Sequence, residues 1–468
     1  MKSDDPLLAA WQKTLSRKGD WGAVLDSTGK IARSFRDVED GARVFEGKID
    51  MLPAGAVVAV QIGNHEDWPS VFIACLRKHL VVLPLDQSIS RQQRDAALEI
   101  CGASAVLAAP EGTCPHVVQL KKSDVTGDWG GKVPSLLKLT SGTTAAPRSI
   151  RFRSHQLLAD CNQICDTMGI LDDDLNFGVI PISHSYGFSN LLTPLVARGV
   201  AMVMSRDRTP RAVLTDLART EATVFPGTPA FFQAFCEMND VSAIPKLRLS
   251  ISAGAPLSLS VAKRFLEKFK QPIHSFYGAS ECGGICYDRD ATTFEEGFVG
   301  RPMQGVEVEF VEPTASASQI RVRSAAVSDS YFPEADEQKL GNGTFVPDDL
   351  LAWHDSALKI VGRVSDMINV AGKKVNPAEV EAYLTRFEGV RQAVVFGCSA
   401  GAGLRNEEVA ACVVASPPAC ETDLLRFCRA GLSPWQVPKR IFILDALPAN
   451  ERGKVSRREL ARRFSEKG

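Results

Sequence analysis

The stretch TSGTTAAPR, from Thr140 to Arg148, decides how the rest of the chain is interpreted. Its hydroxyl side chains and small residues can direct several O–H and backbone N–H groups at one anion, and Arg148 adds a fixed positive charge. Apolar residues before it predict a buried strand, and a helix capped by Ser154 is predicted after it. The segment lacks the Walker spacing, and its residue types also fill ordinary turns. In this context we interpret it as a nucleotide-phosphate loop.

The composition is that of an ordinary globular protein. The chain has 468 residues, 45% of them hydrophobic, and a formal net charge of −1. This length predicts at least two domains. The balanced charge gives no indication that the protein binds nucleic acid or an anionic membrane. The polar start, MKSDDPLLAAWQKTLSRKGD, and the lack of a long apolar run predict a cytoplasmic protein with no signal peptide and no integral membrane segment.

The twelve cysteines are scattered singly or at helical spacing, mostly within apolar runs. This distribution favours reduced, buried thiols over disulfides. Cys282 and Cys286 could pass for half of a metal site, but no further cysteine or histidine lies nearby at a spacing suited to zinc. We interpret both as structural.

Helical and strand-like segments alternate through most of the chain. SFRDVEDGARVFEGKI begins with a cap-like serine, Ser34, and has helical spacing, while AVVAVQI and LVVLPLD are strand-like. Near Gly362 the pattern changes, and NPAEVEAYLTRF begins with a cap at Asn376 followed by Pro377. The pattern predicts an α/β fold with a large N-terminal domain of mixed, mostly parallel sheets (1–363) and a small mobile α+β domain (364–468).

Further motifs follow the loop in a fixed order along the chain. They are PISHSYGF, SAGAPLS, FYGASECGG, GFVGRP, FVPDDLLAWHDSALKIVGR, GRVSDMINVAGKKVNPAEVE and DALPANERGKVSRREL. Together with the loop they resemble the adenylate-forming superfamily, which includes acyl-CoA synthetases, luciferases and the adenylation domains of peptide synthetases. The resemblance runs from about Ser34 to Leu460, and it implies an active site between the two domains.

The resemblance implies a role for particular residues. The catalytic residues it implies are His184 beside the substrate carboxylate, Arg148 on the phosphates, Glu281 as the Mg²⁺ ligand and Lys454 at the transition state. It also implies that Tyr277 stacks on adenine and that Asp349 accepts from the ribose hydroxyls. Arg363 would contact the ribose or the α-phosphate, and Gly372 would line the path of the thiol. The full set of implied nucleotide and thiol contacts is Thr140, Ser141, Gly142, Thr143, Thr144, Gly254, Ala255, Tyr277, Gly278, Ser280, Asp349, Arg363 and Gly372.

Several positions depart from the family pattern. The family has glycine, lysine and glycine where this chain has Ala145, Arg148 and Ser149; Pro347 and Asp348 replace Thr-Gly, and Ser365 lies at the expected pivot. Ser185 lies where amino-acid-activating relatives carry an aspartate, which favours an acid without an α-amino group. We interpret the arginines around Lys454, which are Arg452, Arg457, Arg458, Arg462 and Arg463, as a solvated helix face.

The implied reaction is the activation of a carboxylic acid, fatty or otherwise apolar, by ATP and Mg²⁺, followed by transfer of the acyl group to CoA. One alternative keeps the adenylation but loads the phosphopantetheine of a separate acyl carrier protein. Another is a non-catalytic nucleotide- or acyl-binding homologue, which the departures in the loop, the Pro347-Asp348 pair and Ser365 would favour. Glu281, Asp349, Arg363 and Lys454 argue for an active enzyme.

Overall fold

A computed structural model of the chain describes residues 5–109, 114–119, 129–140, 148–239, 241, 243–291, 295–370, 373–399, 407–417, 419–448 and 455–465. The chain divides into two compact units. The first unit comprises Met1–Glu309, Arg321–Pro347 and Asp355–Leu358. The second comprises Phe310–Ile320, Asp348–His354 and Lys359–Gly468.

Helices and strands alternate along the first half of the chain. Up to Gln119 they are α1 (Pro6–Lys18), β1 (Gly22–Leu25), β2 (Ile31–Ser34), α2 (Phe35–Lys48), β3 (Val57–Gln61), α3 (Trp68–Arg77), β4 (Val81–Pro84), α4 (Arg91–Ile100), β5 (Ala103–Ala108) and β6 (His116–Gln119). From Leu136 they are β7 (Leu136–Leu139), β8 (Ser149–Phe152), α5 (Ser154–Met168), β9 (Leu175–Gly178), α6 (Ser185–Gly187), α7 (Thr193–Arg198), β10 (Ala201–Met204), α8 (Pro210–Thr220), β11 (Val224–Gly227), α9 (Pro229–Glu237) and β12 (Leu249–Ser252).

Strands dominate the region that follows. Its elements are α10 (Leu259–Phe269), β13 (Ile273–Ala279), β14 (Gly283–Tyr287), β15 (Phe298–Pro302), β16 (Val306–Phe310), β17 (Ile320–Ser324), β18 (Ser330–Phe332), β19 (Leu340–Gly341), β20 (Thr344–Phe345), β21 (Asp349–His354) and β22 (Ala357–Arg363). The C-terminal elements are β23 (Ile368–Val370), β24 (Lys373–Val375), α11 (Pro377–Leu384), β25 (Val390–Ser399), β26 (Glu407–Ala415), α12 (Glu421–Gly431), β27 (Arg440–Ile443) and α13 (Arg457–Ser465).

The larger sheet of the first unit is mixed and mostly parallel. Within that unit its strands lie in the order β2-β1-β10-β9-β11-β12-β13-β14-β15. The pairs from β1 to β13 are parallel, whereas β14 pairs antiparallel with both of its neighbours. A phenylalanine-rich core, which includes Phe225, Phe232, Phe235 and Phe265, packs against β11. The carboxyl ends of β12 and β13 therefore lie side by side.

The second sheet of this unit has the strand order β18-β8-β7-β4-β3-β5-β6. Strands β7, β4, β3 and β5 are parallel, and β8, β18 and β6 pair antiparallel with their neighbours. Because β4 and β7 run in the same direction, the residues after them, Asp86 and Thr140, follow the same edge of the sheet. Open α/β sheets commonly bind ligands at this edge.

Three helix caps were predicted from the sequence, and two of them are present. Ser34 caps α2 and forms a reciprocal capping box with Asp37, and Asn376 caps α11 by accepting from the N–H of Ala378 at 3.1 Å. The prediction that Ser154 caps α5 was wrong, because the cap residue is Arg153. The Ser154 hydroxyl instead contacts Ser135 at 2.8 Å and donates to Asp5.

The second unit contains its own hydrophobic core. Strand β25 pairs antiparallel with β26, and β26 pairs in parallel with β27. Side chains from these strands and from α11 and α12 form one cluster, which includes Val395, Val413, Leu424 and Ile441. The predicted fold class, a large α/β part with a small α+β part, is confirmed. Across the described residues no helix is long and apolar enough to cross a lipid bilayer.

Candidate active site

The phosphate loop is closed at its base by two hydrogen bonds. The backbone N–H of Thr140 donates to the carbonyl of Arg148 at 2.8 Å, and the Thr140 hydroxyl donates to the same oxygen at 3.1 Å. Leu139 pairs with Ser149 in the antiparallel ladder of β7 and β8. The loop therefore begins and ends at one point of the sheet edge. Ser141, Gly142, Thr143, Thr144 and Ala145 lie outside the described residues.

Glu281 follows β13 and contacts a residue that the sequence did not single out. The Tyr331 hydroxyl donates to Glu281 Oε1 at 3.0 Å, and the carbonyl of Glu281 accepts from the N–H of Ser328 at 3.0 Å. The Arg148 guanidinium lies 5.8 Å from the centroid of the same tyrosine ring. One aromatic side chain thus contacts both the residue that ends the loop and the predicted Mg²⁺ ligand.

The segments predicted for acid binding and for phosphate binding touch each other. The Ser185 hydroxyl, at the start of α6, donates to the Ser280 hydroxyl at 2.9 Å. His184 lies next to Ser185 as the cap residue of α6. The structure therefore brings His184, Ser185, Ser280 and Glu281 into one region of the first unit.

His184 is paired with an acid that sequence reasoning missed. His184 Nε2 lies 3.2 Å from Asp86 Oδ2, while Asp86 Oδ1 accepts from the N–H and hydroxyl of Ser88 at 2.9 and 2.7 Å. The hydrogen bond from His184 holds the pKa of the Asp86 carboxyl well below its usual range, supported by Ser88 and opposed by burial. The signal in the sequence was the acid that ends the strand-like run LVVLPLD.

The residues predicted on the adenine side lie at the carboxyl ends of two neighbouring parallel strands, β12 and β13. Gly254 and Ala255 are exposed just after β12, and Tyr277 and Gly278 lie on β13. Gly254 has a φ of 88°, and a Cβ placed on it would have no atom within 4 Å, so this backbone is open to a flat ligand. Tyr277 is buried, with 8% of its surface exposed.

Tyr186 and Phe225 are among the residues that the sequence suggests for the lining of an acid pocket, and the structure gives them different surroundings. Tyr186 donates from its hydroxyl to the carbonyl of Ile251 at 3.2 Å and packs against the ring of Phe276. Burial raises the pKa of that hydroxyl well above its usual value, so it remains a neutral donor. Phe225 is fully buried within the phenylalanine-rich core. Its side chain serves the core, and the packing gives no support to a lining role.

Lys138, two residues before the loop, carries a buried ammonium group. Its Nζ lies 4.4 Å from the centroid of the Phe152 ring and has no hydrogen-bond partner among the residues that the structure describes. Burial lowers the pKa of this group, and the charges of Asp160 and Glu281 act in the opposite direction. The cost of burying the charge therefore exceeds the attraction to those carboxylates.

We expect Lys138→Met to stabilise the protein at pH 7 by about 1–2 kcal/mol, the lower part of the range for replacing buried charges with apolar residues. The pKa of Lys138 is lower in the folded protein than in the unfolded chain, so the charged lysine destabilises the fold at pH values below the folded-state pKa. This destabilisation disappears as the pH rises above the pKa of the unfolded chain, about 10.4. Thermal unfolding at pH 7 and pH 10 should show a gain that shrinks at the higher pH. The exposed Lys246→Met is the control, and equal melting temperatures for both variants would contradict this expectation.

The predicted ribose contacts form an ion pair within the second unit. Arg363 Nε lies 2.6 Å from Asp349 Oδ1, and the N–H of Val364 donates to the carbonyl of Asp348 at 2.8 Å. Asp349 is buried, while the Arg363 side chain is 49% exposed. Ser365 lies in the short 3-10 helix Val364–Asp366. Gly372 and Lys454 lie outside the described residues.

One arginine near Lys454 was assigned wrongly. Arg457 was predicted on a solvated helix face, but it binds Asp366 at 2.6 Å, Glu381 at 2.8 and 3.0 Å, and the carbonyl of Val395 at 3.0 Å. The packing of α13 against β25 directs this side chain inward. Arg458, Arg462 and Arg463 are exposed, as predicted.

A single carboxylate is sufficient for the metal that the family implies. Mg²⁺ usually retains water and binds one or two carboxylates together with substrate phosphates. The Glu281 carboxylate, anchored by Tyr331 near the base of the phosphate loop, fits that donor set. The structure therefore contains a residue suited to hold Mg²⁺ once a nucleotide supplies the remaining oxygens.

Comparison with known proteins identifies the family. The AMP-binding enzyme family matches residues 12–332, and the AMP-binding enzyme C-terminal domain matches residues 379–454. The oxalate–CoA ligase of Arabidopsis thaliana is 26% identical, and the match covers 99% of this chain and 100% of the relative. The long-chain-fatty-acid–CoA ligase of Salmonella typhimurium is 27% identical and covers 91% of this chain and 89% of the relative.

The fold has a close counterpart among solved structures. ATP-bound MatB from Rhodopseudomonas palustris matches with a TM-score of 0.84 at 21% identity, covering 98% of this chain and 99% of that one. This likeness supports the architecture, and the family match spans more than half of the sequence. The chain belongs to the AMP-binding enzyme family of the adenylate-forming superfamily, and is an AMP-forming acid–thiol ligase of the acyl-CoA synthetase type.

Proposed function

We propose that the protein joins an apolar carboxylic acid to CoA in two steps. A carboxylate oxygen attacks the α-phosphorus of ATP, the bond to the β-phosphate oxygen breaks, and acyl-adenylate and pyrophosphate result. The CoA sulfur then attacks the acyl carbon, AMP leaves with the bonding electron pair, and the thiol proton is released. The substrates fit the cytoplasmic location predicted from the sequence.

The observation that carries this proposal is the contact between Ser185 and Ser280 at 2.9 Å. Ser185 adjoins His184, the residue proposed to bind the acid, and Ser280 adjoins Glu281, which is proposed to act on the phosphates. The first step needs two anionic reactants within bonding distance, and correct placement contributes much of the rate enhancement. A hydrogen bond between the two segments supports such an approach.

We assign the phosphates to Arg148, Thr140 and the loop between them. Arg148 offers a permanent charge at the base of the loop, where Thr140 closes it. Bound Mg²⁺ would neutralise charge on phosphate oxygens, and Glu281 is the residue proposed to hold it. Lys454 remains the proposed cation at the transition state.

Asp86 gives His184 a defined orientation toward the acid. The carboxylate of Asp86 stays ionised because its pKa is lowered, and it accepts from His184 Nε2 at 3.2 Å. An imidazole held in this way presents its other edge, Nδ1, away from Asp86. We propose that His184 contacts the substrate carboxylate from that edge.

The proposed acid lacks an α-amino group. Ser185 offers no negative charge for an ammonium, and its hydroxyl already donates to Ser280. Aromatic and small residues, among them Tyr186 and Gly254, surround the proposed site. The relatives act on acids as different as oxalate and long-chain fatty acids, so the family allows a wide choice of acids.

For the second step we propose that the domain of residues 364–468 moves as a lid on the segment around Ser365. The pair of Asp349 and Arg363 would bind the ribose, and Gly372 would leave room for pantetheine. CoA is the proposed acceptor because the relatives include CoA ligases for oxalate and for long-chain fatty acids.

Acid-dependent pyrophosphate exchange followed by thioester analysis tests this function. The full chain is incubated with ATP, Mg²⁺ and matched acids that differ only in the α-amine, such as 4-methylpentanoate and leucine. We expect exchange with the acid that lacks the amine, and an acyl-CoA product when CoA is added. Omission of the acid is the control.

Each of the other outcomes would overturn a different part of the proposed function. Acylation of a pantetheinylated carrier protein but not of CoA would overturn the choice of acceptor. Preference for leucine would overturn the argument from Ser185. ATP binding without exchange for any acid in a panel of aliphatic, aromatic and dicarboxylic acids would favour the non-catalytic alternative.

A further inference from the structure

We propose that Tyr331 is a positioning residue that fixes the Glu281 carboxylate relative to Arg148 and so sets the affinity for Mg²⁺. This inference rests on the proposed function, in which Glu281 holds the metal and Arg148 the phosphates. Tyr331 acts through these two residues, and its hydroxyl is already committed to one of them.

The side chain of Tyr331 is positioned between the two functional groups. Its hydroxyl lies 3.0 Å from Glu281 Oε1, and its ring centroid lies 5.8 Å from the Arg148 guanidinium. Only 5% of the tyrosine surface is exposed. A buried phenol that donates to one carboxylate oxygen restricts the rotation of that carboxylate, because the second oxygen must then point away from the tyrosine.

The backbone of Tyr331 pairs with β8, the strand that follows the phosphate loop. In β18, Tyr331 pairs with Ile150 and Phe332 pairs with Ser149, the residue after Arg148. The Ser149 hydroxyl donates to the carbonyl of Phe332 at 3.3 Å. A displacement of the loop exit would therefore move the tyrosine with it.

A second attachment ties the same segment to Glu281 and α5. The N–H of Ser328 donates to the carbonyl of Glu281 at 3.0 Å. Arg153, the cap residue of α5, binds both carboxylate oxygens of Asp329 at 2.8 Å. The segment from Ser328 to Phe332 is thus anchored on each side of Tyr331. The ring therefore has a fixed position, and Glu281 must adopt the orientation that accepts the hydrogen bond.

Removing the hydroxyl tests the contact while leaving the ring in place. For Tyr331→Phe we expect the Mg²⁺ concentration at half-maximal pyrophosphate exchange to rise about 10- to 100-fold, the range typical for loss of a partner that orients a metal ligand. The KM for ATP at saturating Mg²⁺ should change little, because the phenylalanine ring still faces Arg148. Tyr331→Leu, which also removes the ring, should raise that KM as well.

Tyr383→Phe is the matched control. Its hydroxyl donates to the carbonyl of Phe427 at 3.3 Å in the second unit, and its loss should leave the Mg²⁺ requirement unchanged. A merely structural role for Tyr331 would lower the melting temperature and the active fraction without moving the Mg²⁺ midpoint. A double variant, Tyr331→Phe with Glu281→Gln, should be no worse than Glu281→Gln alone, because without the carboxylate no metal ligand remains for the tyrosine to position.

The failure of this inference differs from the failure of the proposed function. If the wild type shows no acid-dependent exchange, the function itself is wrong. If the wild type is active and Tyr331→Phe matches Tyr383→Phe in Mg²⁺ dependence, the positioning role is overturned. Additive losses in the double variant would likewise show that Tyr331 does not act through Glu281.

Discussion

Glu281→Gln is expected to reduce acid-dependent pyrophosphate exchange by about 100- to 1,000-fold, equivalent to roughly 2.7–4 kcal/mol in the activation free energy. Glutamine retains the shape of the side chain and an oxygen that can accept from Tyr331 at the 3.0 Å position. It lacks the negative charge that the proposed Mg²⁺ requires. The loss should therefore appear in turnover and in Mg²⁺ dependence, with little change in folding.

The exposed Glu267 on α10 provides a control for the loss of one negative charge. Glu267→Gln should leave exchange within about twofold of the wild type, since surface charges far from a site act weakly in salt. Both variants should unfold at the wild-type temperature. Exchange by Glu281→Gln within threefold of the wild type would remove Glu281 from the proposed site.

The sequence predicted the parts of the site that lie in short segments. The loop from Thr140 to Arg148 was interpreted as a phosphate loop from its composition together with its context, and this role stays a prediction, although Thr140 and Arg148 do meet at the base of the loop. The caps at Ser34 and Asn376 were predicted because a cap depends on residues two or three positions apart. Local chemistry of this kind is visible without knowledge of the tertiary structure.

The partners of the site residues were missed because they come from distant segments. Asp86 precedes His184 by 98 positions and follows β4, a strand of the other sheet, and Tyr331 lies 50 positions after Glu281. Periodicity predicts strands but leaves their order in a sheet open. The sequence does not reveal that β18 pairs with β8, so nothing in it distinguished Tyr331 from other aromatic residues in short strands.

The error at Arg457 has a related cause. Charge runs near a chain end are usually solvated, and the residue types alone gave no reason to separate Arg457 from Arg458. The direction of the side chain depends on which face of α13 packs against β25. Its bonds to Asp366 and Glu381 then follow from that orientation.

Gly283→Ala is expected to destabilise the first unit by about 2–5 kcal/mol. The φ of Gly283 is 72°, a conformation that costs other residues about 1–2 kcal/mol. A Cβ at this position would also overlap Asp160 Oδ1, which accepts from the N–H of Gly284 at 3.1 Å and is 2% exposed. Relief of that overlap requires movement of a buried carboxylate, and overpacking of this kind costs about 1–3 kcal/mol.

Gly343→Ala separates the two contributions. Gly343 has a similar φ of 71°, but a Cβ there would have no atom within 4 Å, so only the conformational cost of about 1–2 kcal/mol should appear. Denaturant unfolding of both variants should place Gly283→Ala well below Gly343→Ala. Because Gly283 lies two residues after Glu281, its replacement should also reduce pyrophosphate exchange under conditions where both variants remain folded. Equal unfolding midpoints for the two variants would show that Asp160 moves aside without cost, and unimpaired exchange would show that Glu281 does not depend on this turn.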